Sequence, residues 1–160
     1  MCNIDVEVIK NPGRKKSLTA MRLVLDTNVW LDWLVFDDPG LVSLRTSVAA
    51  GDAEIIIDAA CEAELIRVLG YPLQKWTLDA TRQVACLEQC RSLALRVETQ
   101  ATTPLPRCAD PDDQIFLELA AHAGAAYLIT KDRDLLALAR SHPPLAFHIM
   151  TPAEFTTHRA

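Results

Sequence analysis

The sequence predicts an α/β domain built on a mostly parallel sheet, and three observations lead there. Short apolar runs alternate along the chain with longer segments of helical periodicity, the order expected when strands are joined by crossover helices. The runs at Arg22–Leu25, Glu54–Ile57 and Ala126–Ile129 carry no regular polar alternation, as suits strands covered on both faces. Each run also stops abruptly at polar residues: Asp26-Thr27-Asn28, Asp58 and Thr130-Lys131-Asp132. In an open parallel sheet the carboxyl ends of the strands border the crevice where ligands bind, so these strand ends are where function is sought first.

Taken in order, Thr27 to Trp33 begins a helix that Asp37-Asp38-Pro39-Gly40 breaks, and Leu41 to Ala50 is helical in pattern and closed by Gly51. The β-branched run Glu54-Ile55-Ile56-Ile57 forms the second strand, followed by a helix from Ala59 to Leu69 that Gly70-Tyr71-Pro72 stops. Thr77 to Leu93 reads as a longer helix with Leu78, Val84, Leu87 and Cys90 on one stripe, and Leu93 to Val97 as a short strand. Pro104 and Pro106 mark a loop, and Asp110-Pro111-Asp112-Asp113 opens a helix to about Ala123, with Asp110 as cap and Pro111 at the first helical position. After the strand at Ala126–Ile129 come a short helix, Asp134 to Arg140, and a last strand, Ala146 to Ile149. Thr151 and Glu154 have the spacing of a capping box on a final helical turn.

The chain has 160 residues, half of them hydrophobic, enough for one domain with its own core. No apolar run approaches the length of a membrane span, and the N-terminus lacks the apolar segment of a secretory signal, so a cytoplasmic location is expected. Residues 1–20 read as an N-terminal extension without a fold of its own, and residues 21–160 as the domain. Either Met21 begins the native chain, or the extension, with Arg14-Lys15-Lys16, is a flexible basic arm that touches a partner or nucleic acid. Five cysteines, without a C-x-x-C pair, indicate neither a disulfide framework nor a zinc ribbon, and buried free thiols are expected. The net charge is −5, and the extension carries four basic against two acidic residues, leaving −7 for the rest. Such a balance argues against a broad basic surface that holds nucleic acid by itself.

The chemistry must then come from the acids. Asp26 and Asp132 stand at strand ends, and Asp110, Asp112 and Asp113 at a helix start. If these meet at one edge of the sheet, several carboxylates cannot ionise at close range unless a cation compensates, and an all-oxygen set suits Mg²⁺ or Mn²⁺. Two such ions can activate water and stabilise the leaving oxygen in phosphodiester cleavage. Each acid alone has a plainer reading, Asp110 and Asp132 as helix caps above all. His122, His142, His148 and His158 form no catalytic or ligand spacing, and Trp30 and Trp33 read as packing or a partner interface, although with Trp76 they could stack on bases.

Leu25-Asp26-Thr27-Asn28-Val29, an acid in the helix after the second strand, Asp110-Pro111-Asp112-Asp113 before Phe116-Leu117-Glu118-Leu119-Ala120, and Tyr127-Leu128-Ile129-Thr130-Lys131-Asp132-Arg133-Asp134-Leu135, in that order, resemble the PIN-domain nucleases. The likeness is nearest to their prokaryotic, VapC-like branch, the toxins of toxin-antitoxin pairs, and extends to the ending Thr151-Pro152-Ala153-Glu154-Phe155. It implies a three-layer α/β/α fold with four or five strands, and a metal-dependent endonuclease that cleaves single-stranded RNA and leaves a 5′-phosphate. By the same resemblance Asp26, Glu64, Asp113 and Asp132 are the catalytic metal ligands, with Asp110 a further ligand and Thr27, Asn28 and Thr130 in support. Arg67, Lys131 and Arg133 are candidates for substrate phosphates. An antitoxin partner and a homodimer are likewise expectations from the resemblance. Two other functions are weighed against it: a PIN-like module that binds RNA or protein without cutting, and a phosphoacceptor signalling domain. The latter needs its paired acids right after the first strand, whereas Asp112-Asp113 comes much later.

Overall fold

A computed structural model describes residues 20–73, 75, 77–100, 104–141 and 143–159. The extension of residues 1–19, Trp76 and His142 lie outside them, and so do the readings placed on them. The elements are β1 (Met21–Leu25), α1 (Thr27–Leu34), α2 (Val42–Ala49), β2 (Ala53–Ile57), α3 (Ala59–Leu69), α4 (Ala80–Leu93), β3 (Ala94–Arg96), α5 (Gln114–His122), β4 (Tyr127–Ile129), α6 (Arg133–Ala137), β5 (His148–Met150) and α7 (Pro152–Arg159). Short 3₁₀ turns precede α2 and α5 and extend α6.

All five strands pair in parallel, in the order β3-β2-β1-β4-β5. Successive residues of a strand point to opposite faces, yet Leu23, Val24 and Leu25, Ile55, Ile56 and Ile57, and Leu128 and Ile129 are all buried. Both faces of the sheet are therefore covered by helices, which is the α/β/α architecture expected. From β1 the chain winds outward through β2 to β3, then returns to the other side of β1 to form β4 and β5. The topological switch point thus falls between β1 and β4, where the strand ends open a crevice.

The register sets the site. Leu25 pairs with Ile129, Ile129 with Met150 and Ile57 with Arg96. The next step of the ladder continues through Asp26 N–H to the Ile129 carbonyl (3.0 Å), Thr130 N–H to the Met150 carbonyl (3.0 Å) and Val97 N–H to the Ile57 carbonyl (2.9 Å). At β1 and β4 the polar side chains of Asp26 and Thr130 begin in one row at the carboxyl edge.

Several local signals act as read. Gly51 and Gly124, with φ of 80° and 61°, take the left-handed conformation that ends a helix at small cost only for glycine. Thr151 and Glu154 close a reciprocal capping box (Thr151 N–H to Glu154 Oε2, 2.7 Å; Glu154 N–H to Thr151 Oγ1, 3.1 Å), and it opens the two turns of α7 rather than one. Trp30 and Trp33 are core residues. The four described cysteines, Cys61, Cys86, Cys90 and Cys108, are free and buried.

Two readings of the α4 region need correction. The helix starts at Ala80 instead of Thr77, because Asp79 caps it by accepting from Arg82 N–H (2.8 Å). Its buried residues are Cys86 and Cys90, whereas Val84 is exposed, since contact with α3 and α1 selects a face one step away from the apolar stripe. Likewise the segment after Asp110 opens as a 3₁₀ turn, Pro111–Asp113, before α5 becomes α-helical. Among the described residues no helix is long and apolar enough to cross a membrane.

Candidate metal centre

Asp26 ends β1 and is nearly inaccessible, at 3 % exposure. The backbone leaves the sheet there: its φ and ψ stay extended while its carbonyl accepts from Val29 and Trp30 N–H to start α1. Its carboxylate makes no cap bond and instead accepts from the Thr130 hydroxyl at 2.7 Å. Burial pushes the Asp26 carboxyl above its usual range, and the charge of Asp132 adds to this, while the Thr130 hydroxyl opposes it.

Thr130 works in two directions. Completely buried at the end of β4, it donates to Asp26 and accepts from Asp132 N–H at 3.0 Å. The hydroxyl therefore sets Asp26 and Asp132 relative to each other across the switch point. Asp132 Oδ1 accepts from Asp134 N–H (2.9 Å) and Leu135 N–H (3.1 Å), so the capping reading of this residue is correct alongside its place at the centre.

Asp113 arrives from the start of α5, which packs on β1 and β4. Gln114, buried beside it, accepts from Cys108 N–H (2.8 Å) and donates to the Pro106 carbonyl (3.1 Å), holding the preceding loop against the helix start. The Asp113 carboxyl is pushed up to about 7, first by burial and then by the charges of Asp26, Asp132, Asp110 and Asp134. Five carboxylates from three separate stretches of chain thus share one electrostatic neighbourhood. The arrangement resists full ionisation by itself and is relieved by a cation.

The family model described as PIN domain matches residues 22–134. The chain belongs to the PIN-domain family. A solved structure that resembles the fold is the VapBC2 complex of Rickettsia felis bound to a DNA fragment from its promoter, at 14% identity with a TM-score of 0.56, covering 82% of this chain and 98% of that one. No curated protein matches the chain. PIN domains are generally nucleases.

The predicted residues of this PIN domain fall into two groups. Thr130 is hydrogen-bonded to Asp26 and Asp132, and the charges of Asp26, Asp132 and Asp110 act on Asp113; Thr27, next to Asp26 in the chain, is buried, and its Oγ1 has no hydrogen-bond partner among the described residues. Glu64 is engaged separately. It lies one turn beyond Cys61, whose thiol is raised by burial and by the nearby Asp58 and Asp26. The Glu64 carboxylate is gripped by Arg67, which donates from Nε to Oε2 (2.9 Å) and from Nη2 to Oε1 (2.5 Å), and from Nη1 to the Tyr71 hydroxyl (2.6 Å). Asn28 is exposed. Lys131 pairs with Asp32 and stands 3.7 Å from Asp38, acids distant from it in sequence. Arg133 is exposed beside Asp132.

Among the described residues no three acid, histidine or cysteine side chains stand close enough to grip one ion in this arrangement. Each of four acids is engaged elsewhere: Asp26 by Thr130, Asp132 and Asp110 by backbone amides, and Glu64 by Arg67. The donor set nevertheless fits a hard divalent cation, being all oxygen, strongly anionic and flanked by the unpartnered buried hydroxyl of Thr27. Sequence reasoning did not assign Asp134, which adds to the field at Asp113; Asp58, read as the polar end of β2, is the buried cap of α3 and accepts from Cys61 N–H at 2.9 Å.

Proposed function

We propose that the chain is a Mg²⁺- or Mn²⁺-dependent endoribonuclease that cleaves single-stranded RNA, the toxin of a toxin-antitoxin pair. The observation that carries this reading is the coupling of Asp113 to Asp26, Asp132, Asp110 and Asp134 at the switch point. Asp26, Asp113 and Asp132 would hold the ion, with Asp110 at the same helix start, and Glu64 joining if its carboxylate leaves Arg67. When bound, a divalent ion supplies activation of water and charge compensation at the leaving oxygen.

The chain's own residues do the rest. Thr130 fixes the Asp26 carboxylate through one hydrogen bond and the Asp132 backbone through another, which preorganises both acids before substrate arrives. The Asp113 carboxyl keeps its proton until about pH 7 while no cation is present. Burial of Asp26 and Thr27 limits competing water at the centre.

The antitoxin partner is supported by family membership and by likeness to the VapBC2 fold, and a cytoplasmic homodimer is the assembly we infer with it. The test is incubation of a labelled single-stranded RNA with the purified chain and Mn²⁺, with and without chelator. Cleavage that stops with chelator and in Asp26→Asn supports the reading. RNA binding without cleavage would instead assign a non-catalytic binding module, and cleavage undiminished in Asp26→Asn would remove the proposed centre.

A further inference from the structure

The nuclease reading leaves an electrostatic question: what attracts a polyanion to a chain of net charge −5. Two of the three basic groups predicted for that role are committed to acids, Arg67 to Glu64 and Lys131 to Asp32. Across the sheet another arrangement is better suited. Glu62, in the first turn of α3, has its side chain buried to 6 % exposure, and both Arg91 of α4 and Arg96 of β3 reach it. Arg91 Nη2 donates to Glu62 Oε1 at 2.6 Å and Arg96 Nη1 donates to the same oxygen at 3.3 Å. The two guanidinium side chains are themselves 53 % and 57 % exposed.

We propose that Arg91 and Arg96, held side by side by Glu62, form a seat for a backbone phosphate of the RNA strand that runs to the acidic centre. This rests on the nuclease reading and identifies what binds the strand beside the cleaved bond. One carboxylate offsets one of the two charges, each guanidinium has five N–H donors, and both side chains are about half exposed. Arginine's planar fork fits phosphate oxygens in pairs. The buried carboxylate holds both side chains in one place, so little further ordering is needed on binding. Glu88, one turn before Arg91 on α4, is its weaker acidic neighbour.

Placement supports the same role. Arg96 pairs with Ile57 at the last rung of β2 and β3, and Val24 pairs with Ile56, so Leu25, Ile57 and Arg96 occupy one row of the sheet. Asp26 follows Leu25 directly. Arg96 therefore stands on the same carboxyl edge as the acids, two strand spacings away, or about 10 Å, within reach of one short stretch of single-stranded RNA. Asp58, which ends β2 between them, is buried and accepts from Cys61 N–H.

The alternative is that the cluster only clamps α3, α4 and β3 together. Fluorescence anisotropy with a labelled single-stranded oligoribonucleotide, in Ca²⁺ and over a range of salt, separates the two. The double variant Arg91→Gln/Arg96→Gln should weaken binding and lower the steepness of log K against log salt by about 0.7, the share of the one phosphate it no longer neutralises. With Mn²⁺ it should raise KM and leave kcat unchanged. Glu62→Gln, whose amide oxygen can still accept from Arg91 and Arg96 while the opposing negative charge is removed, should keep or tighten RNA binding even if its Tm falls. A folded double variant with the parent's salt dependence and KM overturns the seat and leaves the nuclease reading standing, as does loss of RNA binding in a folded Glu62→Gln. A parent chain that neither binds nor cleaves RNA overturns both.

Discussion

Replacing Asp113 by Asn should stabilise the cation-free protein, although it removes a residue proposed to serve catalysis. Asp113 makes no side-chain cap bond to α5, so the amide forfeits no hydrogen bond of that kind. What it removes is a carboxylate that burial and four neighbouring acids hold at about 7 instead of 3.8. A shift of that size corresponds to roughly 4 kcal/mol at about 1.4 kcal/mol per pH unit. Asp113 is only part-buried, and solvent screening reduces the usable figure to about 1–2 kcal/mol. The sign follows from linkage: a carboxyl whose folded pKa is raised loses stability for the fold as pH climbs from its unfolded value to its folded one. The benefit of Asn should therefore be negligible near pH 4, grow up to about pH 7 and stay level above it. Thermal unfolding in chelator should show Tm higher by about 2–8 °C for the variant at pH 8. Excess Mn²⁺ should raise the Tm of the parent far more than that of the variant. An Asn variant equal to or less stable than the parent at pH 8 without cation would refute the electrostatic convergence itself.

Other outcomes follow from the same geometry. Thr130→Val removes a buried hydroxyl that serves both Asp26 and Asp132, so chemical unfolding should report a loss of about 1–3 kcal/mol, with RNA cleavage lost and Thr130→Ser restoring both. Asp132→Asn keeps an oxygen able to cap α6, whereas Asp132→Ala loses about 1 kcal/mol more by removing the cap; both should abolish cation-induced stabilisation in a thermal shift assay. The Arg91 hydrogen bond, outweighing burial, holds the Glu62 carboxyl below its ordinary 4.5. That stability is present above the ordinary value and is lost as pH falls through the depressed one, so Glu62→Gln should flatten the acid side of a urea-unfolding profile.

Much of the fold was legible in the sequence because its signals are local. The apolar runs of β1, β2 and β4, the glycines that end helices and the Thr151–Glu154 box depend on neighbours a few residues away. The start of α4 differs from the expected one because Asp79 is one of several residues able to cap there, and Val84 is exposed because periodicity states which residues share a stripe, while packing decides which stripe is buried. At the centre, Asp26 and Asp132 were legible as acids closing apolar strands. The part played by Asp134 was not, since an acid in the first turn of a short helix has an ordinary reading as a dipole partner.

The sequence alone therefore determined the parallel α/β order, the acids at its strand ends and, through four motifs in series, the family. Only the tertiary structure decided which charges act on one another. Thr130 meets Asp26 over 104 residues and Arg96 meets Glu62 over 34. Electrostatic coupling depends on distance and burial, both set by strand order and helix packing rather than by position along the chain. The acidic strand end at Asp26 was readable from a single short stretch, Arg22 to Trp30, but the field that gives it a use comes from β4, α5 and α6.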